Sequence, residues 1–526
     1  MCENYGLAGA TWTSNHNVKR ATAAAFASLA ILSALACLIV QRNGWTLYYG
    51  DAEAHLEIAR RIVDSRTPGY REVGAVWLPL PHLLMLPLVG KPEFWRTGLA
   101  GTIPSAICFV LGGTFLFAAA RRAFQSIPAA AAATAAFALN PNVLYLQATP
   151  MTEAIFFASL LALLYFTILY RDTQSFGAVL GAGLATFAAT LTRYEGWFLI
   201  PFVTIYLFFA GSKHRLTAPL IYGVLACLGP VLWILHNMWW FGDPLDFYRG
   251  PYSAKAIYQH ALDNGLARYP GDHDWSKAME YYFSAAQQAT GRIAVGLGLC
   301  GAAVAIFRRA IWPLFLLALP PVFYVWSMYS SGTPIFIPNL TPFAYYNTRY
   351  GLAALPFLAV ASGALVFLAP RKRHAAIAAV LAIIAAGWWL AHPRPENWIC
   401  WKESQVNSEA RRFWTRETAA FLDANYRGGG IFTMLGDLAG IFREAGIPMK
   451  EALNDGNEPE WDATVARPDY FLNERWAVAQ TGDPVCSAMA KAGMHGTRYK
   501  LVETIRVKGV PAIEIYRRDS DANPIH

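Results

Sequence analysis

Charge is what this chain most lacks. Only 15% of its 526 residues are charged, while 55% are hydrophobic; a soluble domain usually carries about 25% charged residues. That deficit, with repeated apolar runs of near-spanning length, excludes an ordinary soluble protein and makes this an integral membrane protein. Cysteine patterning is missing too. The seven cysteines include no CxxC pair and no zinc spacing, which removes the common dithiol and zinc classes. Cys37, Cys108, Cys227 and Cys300 lie in or beside apolar runs, where a buried, inert thiol is expected. Cys400 and Cys486 fall in a polar C-terminal region, where a disulfide and two free thiols are both open readings. There is no internal repeat and no dinucleotide fingerprint. Gly428-Gly429-Gly430 precedes a candidate strand instead of following one and opening a helix, so these glycines read as a turn. A formal charge of +8 does not imply nucleic acid, because the basic residues sit in short clusters between apolar runs, as membrane topology is encoded.

What is present is a series of eleven apolar runs: 21–40, 97–120, 127–146, 154–170, 176–191, 197–210, 216–238, 293–307, 311–328, 352–369 and 375–391. The first, following Lys19-Arg20, is read as an uncleaved span and not as a signal peptide. Residues 77–89 are apolar but short, and Pro79, Pro81 and Pro87 suggest an interfacial or re-entrant segment. If the N-terminus is cytoplasmic, every second connection should be basic. Those connections carry Arg121-Arg122, Arg171, Lys213-His214-Arg215, Arg308-Arg309 and Arg371-Lys372-Arg373, so the alternation holds. The opposite connections are rich in Trp, Tyr, Pro and acids. On this topology the polar tail, 392–526, is extracytoplasmic, beyond a transmembrane unit of 1–391. Candidate tail strands at 431–434, 470–472, 501–507 and 512–516, with helical patterns at 409–425 and 484–492, read as a small α/β domain.

The same topology gathers ionisable groups at the outer face. The first outer connection gives Asp51, Glu53, His55, Glu57 and His82. Glu153 stands where the chain re-enters the membrane, Arg193 and Glu195 occupy a very short connection, and Arg349-Tyr350 precedes the tenth run. Charges at the hydrocarbon edge are costly unless paired or lining a wet cavity. Taken alone, Asp51 reads as the N-cap of a helix, without a capping box because Ala54 stands at N3. Taken with its neighbours, the group suits transfer of a sugar from a polyprenyl-phosphate carrier. Such a reaction needs a carboxylate to take a hydroxyl proton and cations to hold the departing phosphate. Asp51 is the candidate base, with Glu53 the competing choice. Glu153 is a second candidate acid; Arg193 and Arg349 are candidates for the phosphate. His55, His82, Glu195 and Tyr350 are further candidates for contact with carrier or sugar. Asp272-His273-Asp274 reads as a polar loop, since no further ligand is spaced for a metal.

These residues resemble a family. Gly50-Asp51-Ala52-Glu53 after the first span, Trp77-Leu78-Pro79-Leu80-Pro81, Thr152-Glu153, Leu191-Thr192-Arg193-Tyr194-Glu195-Gly196, Phe241-Gly242-Asp243-Pro244-Leu245 and Thr348-Arg349-Tyr350 with Pro356 look, in order and sidedness, like the GT-C glycosyltransferases. The group they most resemble is the protein O-mannosyltransferases and the aminoarabinose transferase of lipid A. The resemblance spans about residues 21–391 and implies a polytopic α-helical fold in an inner (plasma) membrane. It further implies an inverting transfer from a polyprenyl-phosphate sugar to a hydroxyl or phosphate on a protein, lipid or glycan acceptor. It brings no nucleotide sugar, cofactor or catalytic metal. Many members have adjacent Asp-Glu, whereas Ala52 separates Asp51 from Glu53 here. On a helix two residues apart means about 200°, so both acids do not face one substrate. The rival classes are a transporter or lipid flippase, which would favour repeated halves and midplane broken helices, and a non-catalytic assembly protein.

Overall fold

In the computed structural model, which describes residues 15–494 and 499–519, helices dominate up to residue 425. Seven of the described helices are long and apolar enough to cross a membrane: Asn17–Arg42, Leu99–Phe124, Glu153–Thr173, Thr217–Phe241, Ile311–Tyr329, Thr348–Leu368 and Arg371–Ala391. The remaining apolar runs also fold as helices, but short ones. They are Ile127–Ala138, Phe176–Thr190, Glu195–Ala210 and Arg292–Phe307; the last joins Trp275–Thr290 at a bend of 107°. The expected count of about eleven spans is therefore not reached by length: the described helices give seven, or eight with the bent pair as one. The run 127–146 shows why. Asn140 accepts hydrogen bonds from the N–H groups of Asn142 and Val143, capping a separate short helix, Pro141–Leu146, that Pro141 starts. The proline-rich stretch after Trp77 becomes the ten-residue helix Leu80–Val89.

Burial ranks the spans. The windows of Glu153–Thr173 and Thr348–Leu368 are each 78% buried, against 17% for the first span and 11% for the last, so the spans that begin with Glu153 and with Thr348-Arg349 are the central ones. The basic connections meet at one end of the bundle. Arg122 pairs with Asp172 at 3.0 Å, Gln174 receives the Ser212 N–H at 2.9 Å, and the Arg308 guanidinium lies 4.3 Å from the Phe367 ring.

At the other end lies the tail. Its five strands are β1 (Ile431–Thr433), β2 (Ala452–Leu453), β3 (Trp476–Gln480), β4 (Tyr499–Ile505) and β5 (Ile513–Arg518), in sheet order β2-β1-β3-β5-β4. β1 runs parallel to β2 and β3, and β5 antiparallel to β3 and β4. Three of the four expected strands are present, but residues 470–472 are not one. Pro468 fixes φ at the start of a single helical turn, Pro468–Phe471. The central β3 and the two-residue β2 have no counterpart in the expected set. Trp476–Gln480 is buried along nearly its whole length, so it lacks the alternation that marks a strand. Gly428, Gly429 and Gly430 all have positive φ and form the turn into β1. Cys400 and Cys486 are both free thiols.

The tail is tied to the bundle by one long helix, Ile399–Asn425. Its first turns pack among the membrane helices: the Cys400 N–H donates to Asn142 Oδ1 at 3.0 Å, and Ser404 bonds Tyr145 at 2.8 Å. Its last turns pack under the sheet, with Leu422 in the core that includes Ile431 and Trp476.

Candidate active site

The helix Gly50–Val63 starts from Tyr49, whose backbone is extended and whose side chain makes no cap. Asp51 thus sits inside the first turn and is not the N-cap expected from sequence. There its carboxylate is favoured by the helix dipole, and it is paired with Arg349. The helix begins with glycine for a local reason. A Cβ at position 50 would lie 2.7 Å from Nη1 of Arg411, whose Nη2 donates to the carbonyls of Tyr48 (2.8 Å) and Leu47 (3.3 Å).

Arg349 is the hub of the site. Besides Asp51, it lies 3.2 Å from Glu153 Oε1 and 3.3 Å from Glu403 Oε1. Asn347 adopts a left-handed backbone (φ 56°), which asparagine tolerates. Glu403 then receives the N–H groups of Asn347 (3.1 Å) and Thr348 (2.7 Å) and the Thr348 hydroxyl. Burial pushes the Glu403 carboxyl above its usual range, against the pull of Arg349 and of those donors.

Arg193 forms the deeper half. It stands on the tight connection between Phe176–Thr190 and Glu195–Ala210, which closes because Gly196 packs on the backbone of Ala189 and Thr190; a Cβ there would lie 2.7 Å from Thr190 N. Its guanidinium donates to Thr152 Oγ1 (2.7 Å), Glu153 Oε1 (3.1 Å), Glu195 Oε1 (2.8 Å) and the Tyr324 hydroxyl (2.6 Å). Tyr324 in turn donates to Glu195. The Tyr350 ring lies 5.2 Å from the Arg193 guanidinium and 5.0 Å from that of Arg349, and it stacks on Tyr324 at 4.6 Å. Two arginines thus serve four carboxylates, those of Asp51, Glu153, Glu195 and Glu403. Among the described residues, Glu153 Oε2 is buried without a hydrogen-bond partner. Exposure separates the acids: the Asp51 side chain is 40% exposed, those of Glu153, Glu195 and Glu403 7%, 6% and 3%.

The other sequence candidates divide. His55, one turn after Asp51, places Nδ1 2.9 Å from His82 Nε2 and stacks near Trp77. Burial first, and then the positive Arg349 and Arg193, holds the His55 pKa down to about 3. Burial, His55 and Arg61 keep His82 well below its usual range. Both rings are neutral at physiological pH. Glu53 points away from this group, into the tail, between Arg443 (2.8 Å) and Arg411 (3.2 Å). Burial works to raise its pKa, but the two arginines bring it below the usual value. Asp272 accepts from the Tyr258 hydroxyl at 3.0 Å and from Ser331 at 2.5 Å, which pins its loop. Sequence reasoning did not find Glu403, Tyr324, Arg411 or Arg443. For Glu403 the only local signal is that it shares a helix face with the apolar Ile399 and Cys400.

Glu57 is also buried, under the Trp95 indole N–H at 3.3 Å. Desolvation raises its pKa from an ordinary 4.5 to about 8. Between those values the unfolded chain loses this proton first, so the group's contribution to stability falls as pH rises. Glu57→Gln, neutral at every pH, should melt above the parent at pH 8, by on the order of a few kcal/mol, and close to it at pH 5. Scanning fluorimetry of detergent-purified protein at the two pH values reads this difference.

The architecture is that of the GT-C glycosyltransferases, multi-span membrane proteins. Residues 94–240, which include Glu153, Arg193 and Glu195, match the sequence model of the family described as dolichyl-phosphate-mannose-protein mannosyltransferase. Among solved structures the chain is similar to ArnT from Cupriavidus metallidurans in the apo state. The identity is 14% and the TM-score 0.53, over 92% of this chain and 97% of that one. It is also similar to the oligosaccharyltransferase AglB from Archaeoglobus fulgidus in complex with an inhibitory peptide and a dolichol-phosphate. There the identity is 12% and the TM-score 0.48, over 97% of this chain and 75% of that one. No curated protein sequence matches the chain.

Proposed function

We propose that this protein is an inverting glycosyltransferase that moves a sugar from a polyprenyl-phosphate carrier to a hydroxyl or phosphate acceptor at the outer face of an inner membrane. The observation that carries this reading is the exposure of Asp51. Of the four carboxylates around the two arginines, it is the one that substrate can reach. In this reading Asp51 takes the acceptor proton as the acceptor oxygen attacks the anomeric carbon. The bond from that carbon to the phosphate oxygen breaks, and the carrier leaves as its phosphate.

The roles of the arginines follow from their surroundings. Arg349 is the cation at the exposed edge, and carrier phosphate competes with Asp51 for its Nη2, freeing the base as the donor arrives. Arg193, each of whose three nitrogens is engaged inside, fixes Glu153 and Tyr350 and with them the position of Arg349. Glu53 serves the tail and not the chemistry. Residues 1–391 make up the membrane unit, and 392–526 form an extracytoplasmic domain that also supplies Glu403 to the site.

Purified protein in lipid nanodiscs, given a polyprenyl-phosphate sugar, should release the polyprenyl phosphate when an acceptor extract from the same cells is added. Mass spectrometry of lipid-linked and surface glycans, with and without the protein in cells, identifies sugar and acceptor. Unchanged glycans together with no carrier turnover would refute the proposal.

A further inference from the structure

On the face of Gly50–Val63 opposite Asp51, a cavity of about 240 Å³ opens between the bundle and the tail. A single water takes up only about 30 Å³. Its walls come from four separate places in the chain: the end of the first span and the residues after it, the connection before Leu99, the long helix Ile399–Asn425, and the helix Ala439–Ala445. Four arginines line it, Arg96, Arg411, Arg412 and Arg443, against two carboxylates, Glu53 and Glu444. With all six ionised, the cavity carries two uncompensated positive charges.

The two halves of that charge are held differently. Arg411 and Arg443 are buried and grip Glu53 from two sides. Arg443 also donates to the Arg96 carbonyl at 3.1 Å and approaches Glu444 at 3.3 Å. Among the described residues, Arg96 and Arg412 pair with no carboxylate. Arg96 reaches the Glu444 carbonyl at 3.4 Å; Arg412 lies 4.0 Å from the Tyr48 ring and donates to Ser408 Oγ at 3.0 Å. The walls also hold unmet hydrogen-bonding capacity. Among the described residues the Thr415 hydroxyl, on a residue only 2% exposed, has no partner and Arg443 Nε completes no hydrogen bond, while Arg411 Nε is taken up by Glu53 at 3.2 Å. Buried polar groups are seldom left this way. Two orphaned donors beside two uncompensated guanidinium groups, around one cavity, are the arrangement that an anion completes.

We propose that this cavity binds a phosphate monoester group, as inorganic phosphate, a soluble phosphate ester or a lipid headgroup. A dianion matches the surplus of two charges. Guanidinium forks approaching from several directions match tetrahedral oxygens in pairs, which a planar carboxylate would not satisfy as fully. The site is separate from the Arg193–Arg349 group, since Glu53 and Asp51 project from opposite faces of their helix. The inference stands whether or not the chain transfers sugar, and its test does not use transfer.

The test uses full-length protein in phosphatidylcholine nanodiscs, titrated calorimetrically with inorganic phosphate. In a second arm, nanodiscs doped with phosphatidic acid are compared with phosphatidylcholine alone by ³¹P NMR of the headgroup. Saturable binding in the first arm identifies a soluble phosphate, and in the second arm alone a lipid headgroup; either supports the site. Arg96→Ala and Arg412→Ala should each weaken binding about tenfold or more, the effect of losing one charge-assisted hydrogen bond. Their melting temperatures should stay at the parent's, since neither arginine holds a carboxylate. Glu444→Gln, which adds to the positive surplus, should tighten binding. Absence of binding in both arms, or binding that Arg96→Ala and Arg412→Ala leave unchanged, overturns the proposal.

Discussion

Asp51→Asn should abolish sugar transfer, by about 10² to 10⁴ fold, and leave the protein folded. The substitution keeps the size and one carbonyl acceptor toward Arg349 but removes the group that takes a proton. Its structural cost is small, because the side chain is 40% exposed and Arg349 retains Glu153 and Glu403; exposed ion pairs contribute at most about 1 kcal/mol. Glu53→Gln is the informative companion. It leaves Arg411 and Arg443 buried without their shared carboxylate, which should lower the melting temperature sharply. Turnover per folded molecule in that variant should stay near the parent's. Carrier-phosphate release and melting temperature, measured side by side, read both variants. Full turnover in Asp51→Asn would remove Asp51 from the mechanism.

The second large effect is expected at Arg349. A guanidinium spans Asp51, Glu153 and Glu403 at once because its nitrogens are fixed in a planar fork. An ammonium is a single point and cannot serve all three. Arg349→Lys should therefore keep the charge, lower turnover by about 10² fold through misplacement of Asp51, and destabilise moderately. Arg349→Ala goes further. It leaves three carboxylates facing one another, two of them buried, at a cost of about 3–5 kcal/mol. The Lys variant keeps the experiment interpretable if the Ala variant does not accumulate. Parent-like turnover in folded Arg349→Lys would show that the fork has no role.

Much of this was readable from local pattern, and the omissions have a common physical source. Apolar periodicity located each of the seven described helices long enough to cross a membrane, but not how long each run stays helical, because Asn140 can break a helix inside a continuous apolar stretch. The alternation of basic connections brought Asp51, Glu153, Arg193 and Arg349 to one end, and the structure joins these four directly. The two-residue spacing correctly separated Asp51 from Glu53. It could not say what Glu53 meets, since Arg411 and Arg443 lie more than 350 residues away in sequence. Glu403 was missed for the same reason, as a polar residue in a tail that reads as a separate unit. Asp51 was expected to cap its helix because capping is the commonest local use of an aspartate after a loop; the ion pair with Arg349 and the start of the helix at Gly50 outweigh that preference.

The helix Ile399–Asn425 has a consequence for modular exchange of parts. Its 27 residues form one continuous rod of about 40 Å, carrying Glu403 near one end and the sheet's support near the other. Asp64 receives the N–H groups of Met449 and Lys450, and Arg66 pairs with Glu474, so the segment after the first span clasps the tail as well. A chimera cut at residue 392 would take Glu403, Arg411 and Arg443 away with the domain and strand their partners in the bundle. The C-terminal domain is thus built into the wall of the Arg349 site, and bundle and domain can be exchanged only together.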